Sequence, residues 1–337
     1  MVERSVLVGR SDSNRPETLD TFVGQSDVLG RLRIVLGAAM ERGELPDHLL
    51  FSGPPGLGKT TLAYVVANTL GLPVVATAAP VLEKPGDIAS ILVGLQTPTV
   101  VFIDEIHRIP RVVAESLYEA MEDYRLSLVV GSDSNNLSAG SGRIGTRMLQ
   151  LDLVPFVLVG ATTQTGLLPA PFLDRFGFTG RLQLYDTTTL ATIVANTAKF
   201  LGFRLTLAGA TAVASRSRGT PRVAKTLCVR VRDWAQLNNV DVVGADDTIE
   251  ALRVFGVDSA GLDQTGLDIL TNLCVRFDGG PVGLNTLAAS VGEAPNTVED
   301  VYEPFLLAQG FLKRTPRGRV ATETAYNHLG LPVPTAL

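Results

Sequence analysis

The chain has little cysteine, little histidine, no long apolar run and no excess of positive charge. Two cysteines, Cys228 and Cys274, lie far apart in 337 residues and form no C-x-x-C pair. That excludes a cysteine-rich zinc site and fits packed thiols in a reducing cytosol. Histidines stand alone at 48, 107 and 328, so no metal cluster is visible. The absence of a run of about 18 apolar residues excludes a helical membrane span. The opening Met1-Val-Glu-Arg-Ser5 lacks the layout of a signal peptide. Together these absences predict a cytoplasmic protein. The net charge of −5 leaves no bulk basic field for nucleic acid. Charged residues make up 19% and hydrophobic residues 45%, which argues against long disorder and for two or three folded domains.

What the chain does have is Gly53-Pro-Pro-Gly-Leu-Gly-Lys-Thr60. It fits the G-x-x-x-x-G-K-[ST] pattern of a phosphate-binding loop. The apolar run 48–52 before it suits a buried parallel strand, and 61–70 after it reads as a helix. Glycines 53, 56 and 58 let the backbone turn tightly and point N–H groups inward. Lys59 offers a positive charge to β- and γ-phosphates, Thr60 a hydroxyl to Mg²⁺, and the helix start a partial positive charge. A glycine turn with a chance lysine is the bland alternative, and the flanking strand and helix argue against it.

A second buried strand, 99–103, runs into Asp104 and Glu105. Asp104 suits Mg²⁺, held through water, and Glu105 suits polarisation of an attacking water. The pattern therefore predicts binding and hydrolysis of a nucleoside triphosphate with Mg²⁺. His107 either lines this site or is an ordinary packed histidine.

Residues 20–185 alternate apolar strands with amphipathic helices, which predicts a parallel sheet covered on both faces. The strands expected are 48–52, 73–77, 99–103, 126–130 and 156–161. After Tyr185 the strand signals stop, and helices are expected at 187–202, 207–217, 220–237 and 246–255. A third unit shows helices near 263–276, 283–290 and 295–309, then two short strands around Pro316-Arg317-Gly318. That order suggests a winged helix. Lys313, Arg314, Arg317 and Arg319 form a local basic cluster there, and no acid occurs between Glu303 and Glu323. It is either a DNA-facing wing or a solvated hairpin. The polar stretch 131–142 reads as a long hairpin tip or flexible loop.

An ordered series of stretches then carries a resemblance. They are Arg15-Pro16, Phe22-Val-Gly-Gln25, Asp47-His-Leu-Leu50, the phosphate loop, Pro80-Val-Leu-Glu-Lys84, Phe102–Arg108, Ala120-Met-Glu-Asp-Tyr124, Gly160-Ala-Thr-Thr163, Asp174-Arg-Phe-Gly177, Arg218-Gly-Thr-Pro-Arg222, Gly279-Gly-Pro-Val-Gly283 and 314–319. Over roughly residues 14–330 the chain resembles the RuvB family, bacterial Holliday-junction branch-migration motors of the AAA+ ATPase class. The resemblance implies a large ATPase domain at 1–185, with 1–13 as a tail and 125–155 as a long hairpin. It implies a small helical lid at 186–257 and a winged-helix DNA-binding domain at 258–337.

The resemblance also implies roles. Thr163 matches a sensor of the γ-phosphate, against the alternative of a plain strand-end threonine. Arg175 matches an arginine finger supplied to the neighbouring subunit, against a salt-bridged surface arginine. Arg222 matches an arginine reaching the phosphates in cis, and Tyr185 a residue packing on the nucleotide or, alternatively, in the core. Asn14, Arg15, Phe22, Val23, Gly56, Gly58, Thr61, Glu122, Asp123 and Tyr124 match further nucleotide contacts. Arg314, Arg317 and Arg319 match DNA-backbone contacts. A hexameric ring would then pull duplex DNA through a Holliday junction, with a RuvA-type partner and a RuvC-type resolvase. Two departures stand out. The 125–155 hairpin is long and its tip polar, where the family docks its RuvA-type partner, and Gln164 replaces the family's usual arginine. A clamp-loader-like ATPase and an ATP-binding scaffold are the competing readings.

Overall fold

The computed structural model describes residues 15–130 and 147–334. The tail at 1–13, Asn14 and the polar tip at 131–142 lie outside the described residues. Contacts gather the chain into two units: Arg15–Gly53 with Gly58–Leu182, and Pro54–Leu57 with the stretch from Gln183 onward.

The first unit runs α1 (Ser26–Arg42), β1 (Leu49–Ser52), α2 (Lys59–Leu70), β2 (Val74–Ala78), α3 (Pro85–Val93), β3 (Thr99–Asp104) and α4 (Arg111–Asp123). It continues with β4 (Arg125–Val130), β5 (Arg147–Asp152), β6 (Phe156–Thr162), α5 (Ala170–Leu173) and β7 (Phe178–Arg181). Five strands form a parallel sheet in the order β2-β3-β6-β1-β7. The central strands β3 and β6 are buried along nearly their whole length, which is why their sequences are continuous apolar runs. Phe51, Phe102, Phe156 and Phe172 are fully buried, each stabilising the fold by roughly 1.5–3 kcal/mol.

Two strand expectations are corrected here. Residues 126–130 belong to β4, which pairs only with β5, antiparallel, and not with the sheet. The fifth sheet strand is β7, whose Phe178-Thr-Gly-Arg181 is too short and polar to give a buried-strand signal. It pairs with β1 and forms an edge, buried on alternate residues only.

In the second unit, helices Thr187–Phe200, Leu207–Ser215, Pro221–Leu237 and Ala245–Val254 form a helical cluster. The strands do not stop entirely, because β8 (Arg204–Leu205) and β9 (Val242–Val243) make a parallel pair of two residues each. Such a pair is below the length at which any period is readable. Further along, Gln264–Thr271, Leu284–Ser290 and Glu303–Ala308 are α-helical, with π-helical turns at Asn272–Arg276 and Val298–Tyr302. They pack with the hairpin β10 (Leu312–Thr315) and β11 (Gly318–Ala321) around Ile269, Leu270, Leu306, Phe311 and Tyr326. Helices followed by a hairpin wing make this a winged helix.

Candidate functional site

The register of the sheet brings the acidic strand and the phosphate loop to one edge. Ser52 pairs with Thr162, and Ile103 with Gly160. The carboxyl ends of β1, β3 and β6 therefore lie side by side, where parallel sheets bind ligands. Gly53, Asp104 and Thr163 each follow or end one of these strands.

Lys59 is buried, and its Nζ donates to the Gly53 carbonyl at 2.7 Å. Burial lowers its pKa to about 8, against the opposing pull of Asp104 and Glu105. The two acids are thus close enough to act on the lysine charge. Lys59, Thr60 and Thr61 form the first turn of α2, a turn without an acidic residue. Its orphan N–H groups and positive dipole end meet no carboxylate of their own turn. Gly58 precedes the helix at φ 103°, and a Cβ there would stand 3.3 Å from the buried Phe22 ring. Only glycine combines that conformation with that approach.

Glu105 also adopts a left-handed backbone, φ 49°, which is costly for a side-chain-bearing residue. Its amide is fixed by Asp104 Oδ1 at 2.9 Å, and its carboxylate accepts from Arg108 Nη1 at 2.9 Å. Beside it, Thr162 Oγ1 and His107 Nδ1 are 3.1 Å apart, and Thr162 Oγ1 also accepts from the Gln164 amide. His107 therefore packs on the end of β6. The strand ends at Thr162, so Thr163 is the partly exposed residue directly after it. Val23 is half-buried, and Arg15 lies over the Tyr64 ring at 5.7 Å.

In the second unit, the loop residues Gly56 and Leu57 meet Arg222 and Tyr185, both picked out by the resemblance. The Arg222 amide donates to the Gly56 carbonyl at 3.3 Å, and the Tyr185 hydroxyl to the Leu57 carbonyl at 3.3 Å. Gly56, at φ 78°, has no room for a side chain: a Cβ would fall 2.7 Å from Thr220 Cγ2. Tyr185 is buried and Arg222 exposed.

Arg175 is folded against its own subunit. It donates to Glu122 Oε2 and to the Pro171 carbonyl, both at 2.8 Å, and lies over Tyr118. Asp123 is exposed and Tyr124 half-buried, its hydroxyl pKa raised by burial and then by Asp47.

The wing holds a second charged centre. Glu303 is 1% exposed. Its Oε1 accepts from Nε of Arg314 and of Arg319, both at 3.0 Å. Its Oε2 accepts from Nη2 of each, at 2.9 and 2.8 Å. The two arginines face each other across the hairpin, so one carboxylate holds both forks by the same edge. Burial pushes the Glu303 pKa up, but the two guanidiniums outweigh it and hold the carboxyl below its ordinary value. Arg314 remains half exposed, whereas the Arg319 side chain is 12% exposed. Lys313 and Arg317 are exposed. Sequence reasoning found the basic residues and missed Glu303, whose helix gives no sign that one acid points inward. It likewise missed the Glu122–Arg175 pair, 53 positions apart.

Among the described residues no helix is long and apolar enough to cross a membrane.

Three family models match in order: the Holliday junction DNA helicase RuvB P-loop domain over residues 14–182, the RuvB AAA lid domain over 185–258, and the RuvB C-terminal winged helix domain over 259–330. The Holliday junction branch migration complex subunit RuvB of Parafrankia sp. is 51% identical over 317 residues, covering 94% of this chain and 87% of that protein. Its counterpart from Nitratidesulfovibrio vulgaris is 49% identical over 320 residues, covering 95% and 97%. The solved Thermotoga maritima RuvB Holliday junction branch migration motor aligns with TM-score 0.84 and 44% identity over 95% of this chain and 99% of that one. With its P-loop, lid and winged-helix regions all matched, the chain belongs to the RuvB family of P-loop ATPases that drive Holliday-junction branch migration.

Proposed function

We propose that this chain hydrolyses ATP at the Gly53–Thr60 loop and uses the cycle to move duplex DNA at a Holliday junction. Lys59 neutralises the β- and γ-phosphates. Glu105 polarises the attacking water, Thr163 senses the γ-phosphate, and Arg222 reaches the phosphates in cis. Arg15, Phe22, Val23, Gly56, Gly58, Thr61 and Tyr185 shape the nucleotide site. The observation that carries this reading is the shared sheet edge: one buried lysine, two acids acting on its charge, and a helix start free of acids.

Mg²⁺ fits the same edge, with Thr60 and Asp104 as its protein-side groups. Among the described residues no cluster of three His, Cys, Asp or Glu is able to hold an ion alone. The ion would therefore take most of its ligands from phosphates and water, as Mg²⁺ usually does. Bound there, it would offset the charge of the phosphates.

Arg175 acts in trans, so the working form is a ring, a hexamer as in the family. In the wing, Arg314, Arg317 and Arg319 face DNA phosphates. Glu303 aligns Arg314 and Arg319 by their Nε–Nη2 edges and leaves both Nη1 groups outside the carboxylate pairing. Contacts of this kind position DNA without reading sequence. A RuvA-type partner delivers the junction, and a RuvC-type resolvase follows.

The test is ATPase activity with and without duplex DNA. Arg314→Ala with Arg317→Ala should abolish DNA stimulation and leave basal turnover intact. Undiminished stimulation would favour a scaffold or a clamp-loader-like ATPase instead.

A further inference from the structure

Tyr118 and Glu122 stand one helical turn apart on α4 and so share a face. Arg175, just after α5, lies on that face. Its Nη2 donates to Glu122 Oε2 at 2.8 Å and its Nη1 to the Pro171 carbonyl at 2.8 Å. Its guanidinium carbon is 5.1 Å from the Tyr118 ring centroid, a cation–π distance. Tyr118 is itself seated against Phe172 of α5, at 5.4 Å between rings. The guanidinium is thus held on two edges and one face. Nε is buried without a hydrogen-bond partner.

The pair contributes little to stability. The Glu122 side chain is 64% exposed and that of Arg175 28%. Ion pairs this open to water are weak. Its value lies in direction. A guanidinium carries five N–H donors. Glu122 and Pro171 take one from each terminal nitrogen, and Nε is enclosed. One donor on each terminal nitrogen is left for phosphoryl oxygens without breaking the hold.

We propose that Glu122 is a positioning residue for Arg175: it fixes the guanidinium in the orientation from which it acts on the neighbouring subunit's phosphoryl group. In this role Glu122 works through Arg175. The proposal rests on the reading of Arg175 as an arginine finger.

The experiment is DNA-stimulated ATPase kinetics on the full chain. Arg175→Ala should lower kcat by about 10³-fold. Glu122→Ala should lower kcat by about 10–100-fold, the scale of a misplaced catalytic group, with KM for ATP nearly unchanged. Glu122→Gln keeps an acceptor oxygen and should retain most of the activity. Glu122→Ala added to Arg175→Ala should cost nothing further, because the residue it positions is gone. A double variant well below Arg175→Ala, a rise in KM as the main effect of Glu122→Ala, or wild-type kcat in Glu122→Ala would each overturn the proposal. Mixing Arg175→Ala subunits with Glu105→Gln subunits separates the two claims. Recovery of activity in the mixture supports a finger acting in trans. No recovery removes the finger reading and the proposal with it, whereas recovery with additive Glu122 effects removes the Glu122 proposal alone.

Discussion

Two regions of this molecule hold the basic side chains proposed to meet phosphate, and they hold them differently. At the sheet edge, Lys59 rests on the neutral carbonyl of Gly53. That neutral partner can be released without stranding a charge. In the wing, Arg314 and Arg319 grip the buried carboxylate of Glu303, each through two bonds. Only the loss of both guanidiniums would strand the buried Glu303 charge away from water, a large cost. In the proposed cycle the sheet edge changes partners with its ligand. The wing is held to one shape by its buried carboxylate.

The strongest contrast should appear in paired substitutions at the two regions. Glu105→Gln should nearly eliminate ATP turnover while ATP still binds and the melting temperature stays close to wild type. Nucleotide binding followed by fluorescence, beside turnover, checks it; normal turnover would refute the role of Glu105. Glu303→Ala should do the reverse, destabilising the winged helix by about 3–5 kcal/mol, the usual cost of orphaning a buried charge. Denaturant unfolding measures this. A loss below about 1 kcal/mol would place the wing arginines with ordinary surface pairs.

The next effect divides the two wing arginines. Arg314→Ala removes a half-exposed charge and leaves Glu303 paired with Arg319. DNA affinity should fall and the slope of log affinity against log salt should drop by about 1, with stability little changed. Arg319→Ala should cost more stability than Arg314→Ala, since the Arg319 side chain is nearly enclosed. Equal stability losses would erase the distinction.

A smaller effect is the pH dependence of ATP binding. Burial holds free Lys59 at about 8, and the protonated lysine is the form that attracts phosphate. Raising pH through about 8 discharges it, so ATP affinity should be flat below that value and fall above it, approaching tenfold per pH unit. Titration of a fluorescent ATP analogue across this range checks the sign. An affinity unchanged up to pH ~10 would mean that Lys59 keeps an ordinary pKa.

The sequence made the sheet edge legible because its chemistry is local. Gly53–Thr60 lies in one stretch, and Asp104 and Glu105 end an apolar strand. The helices after Tyr185 also emerged near their observed positions, since their apolar spacing is regular. What escaped was either short or long-range. The strand Phe178–Arg181 and the two-residue pair β8–β9 are too brief to show a period. For residues 126–130 the expected hairpin formed, and only their added place in the parallel sheet failed, a choice made by partners and not by propensity. The Glu122–Arg175 and Glu303–Arg319 pairs join residues far apart in the chain. An acidic letter in an amphipathic helix does not announce that it is buried.

The most direct measurement is branch migration of a synthetic Holliday junction by the purified chain, with and without a RuvA-type partner. ATP should drive junction dissociation by the wild type, and Glu105→Gln should bind the junction without moving it. No ATP-dependent movement under either condition, or movement by Glu105→Gln at the wild-type rate, would contradict an ATP-driven motor built on Lys59, Asp104 and Glu105.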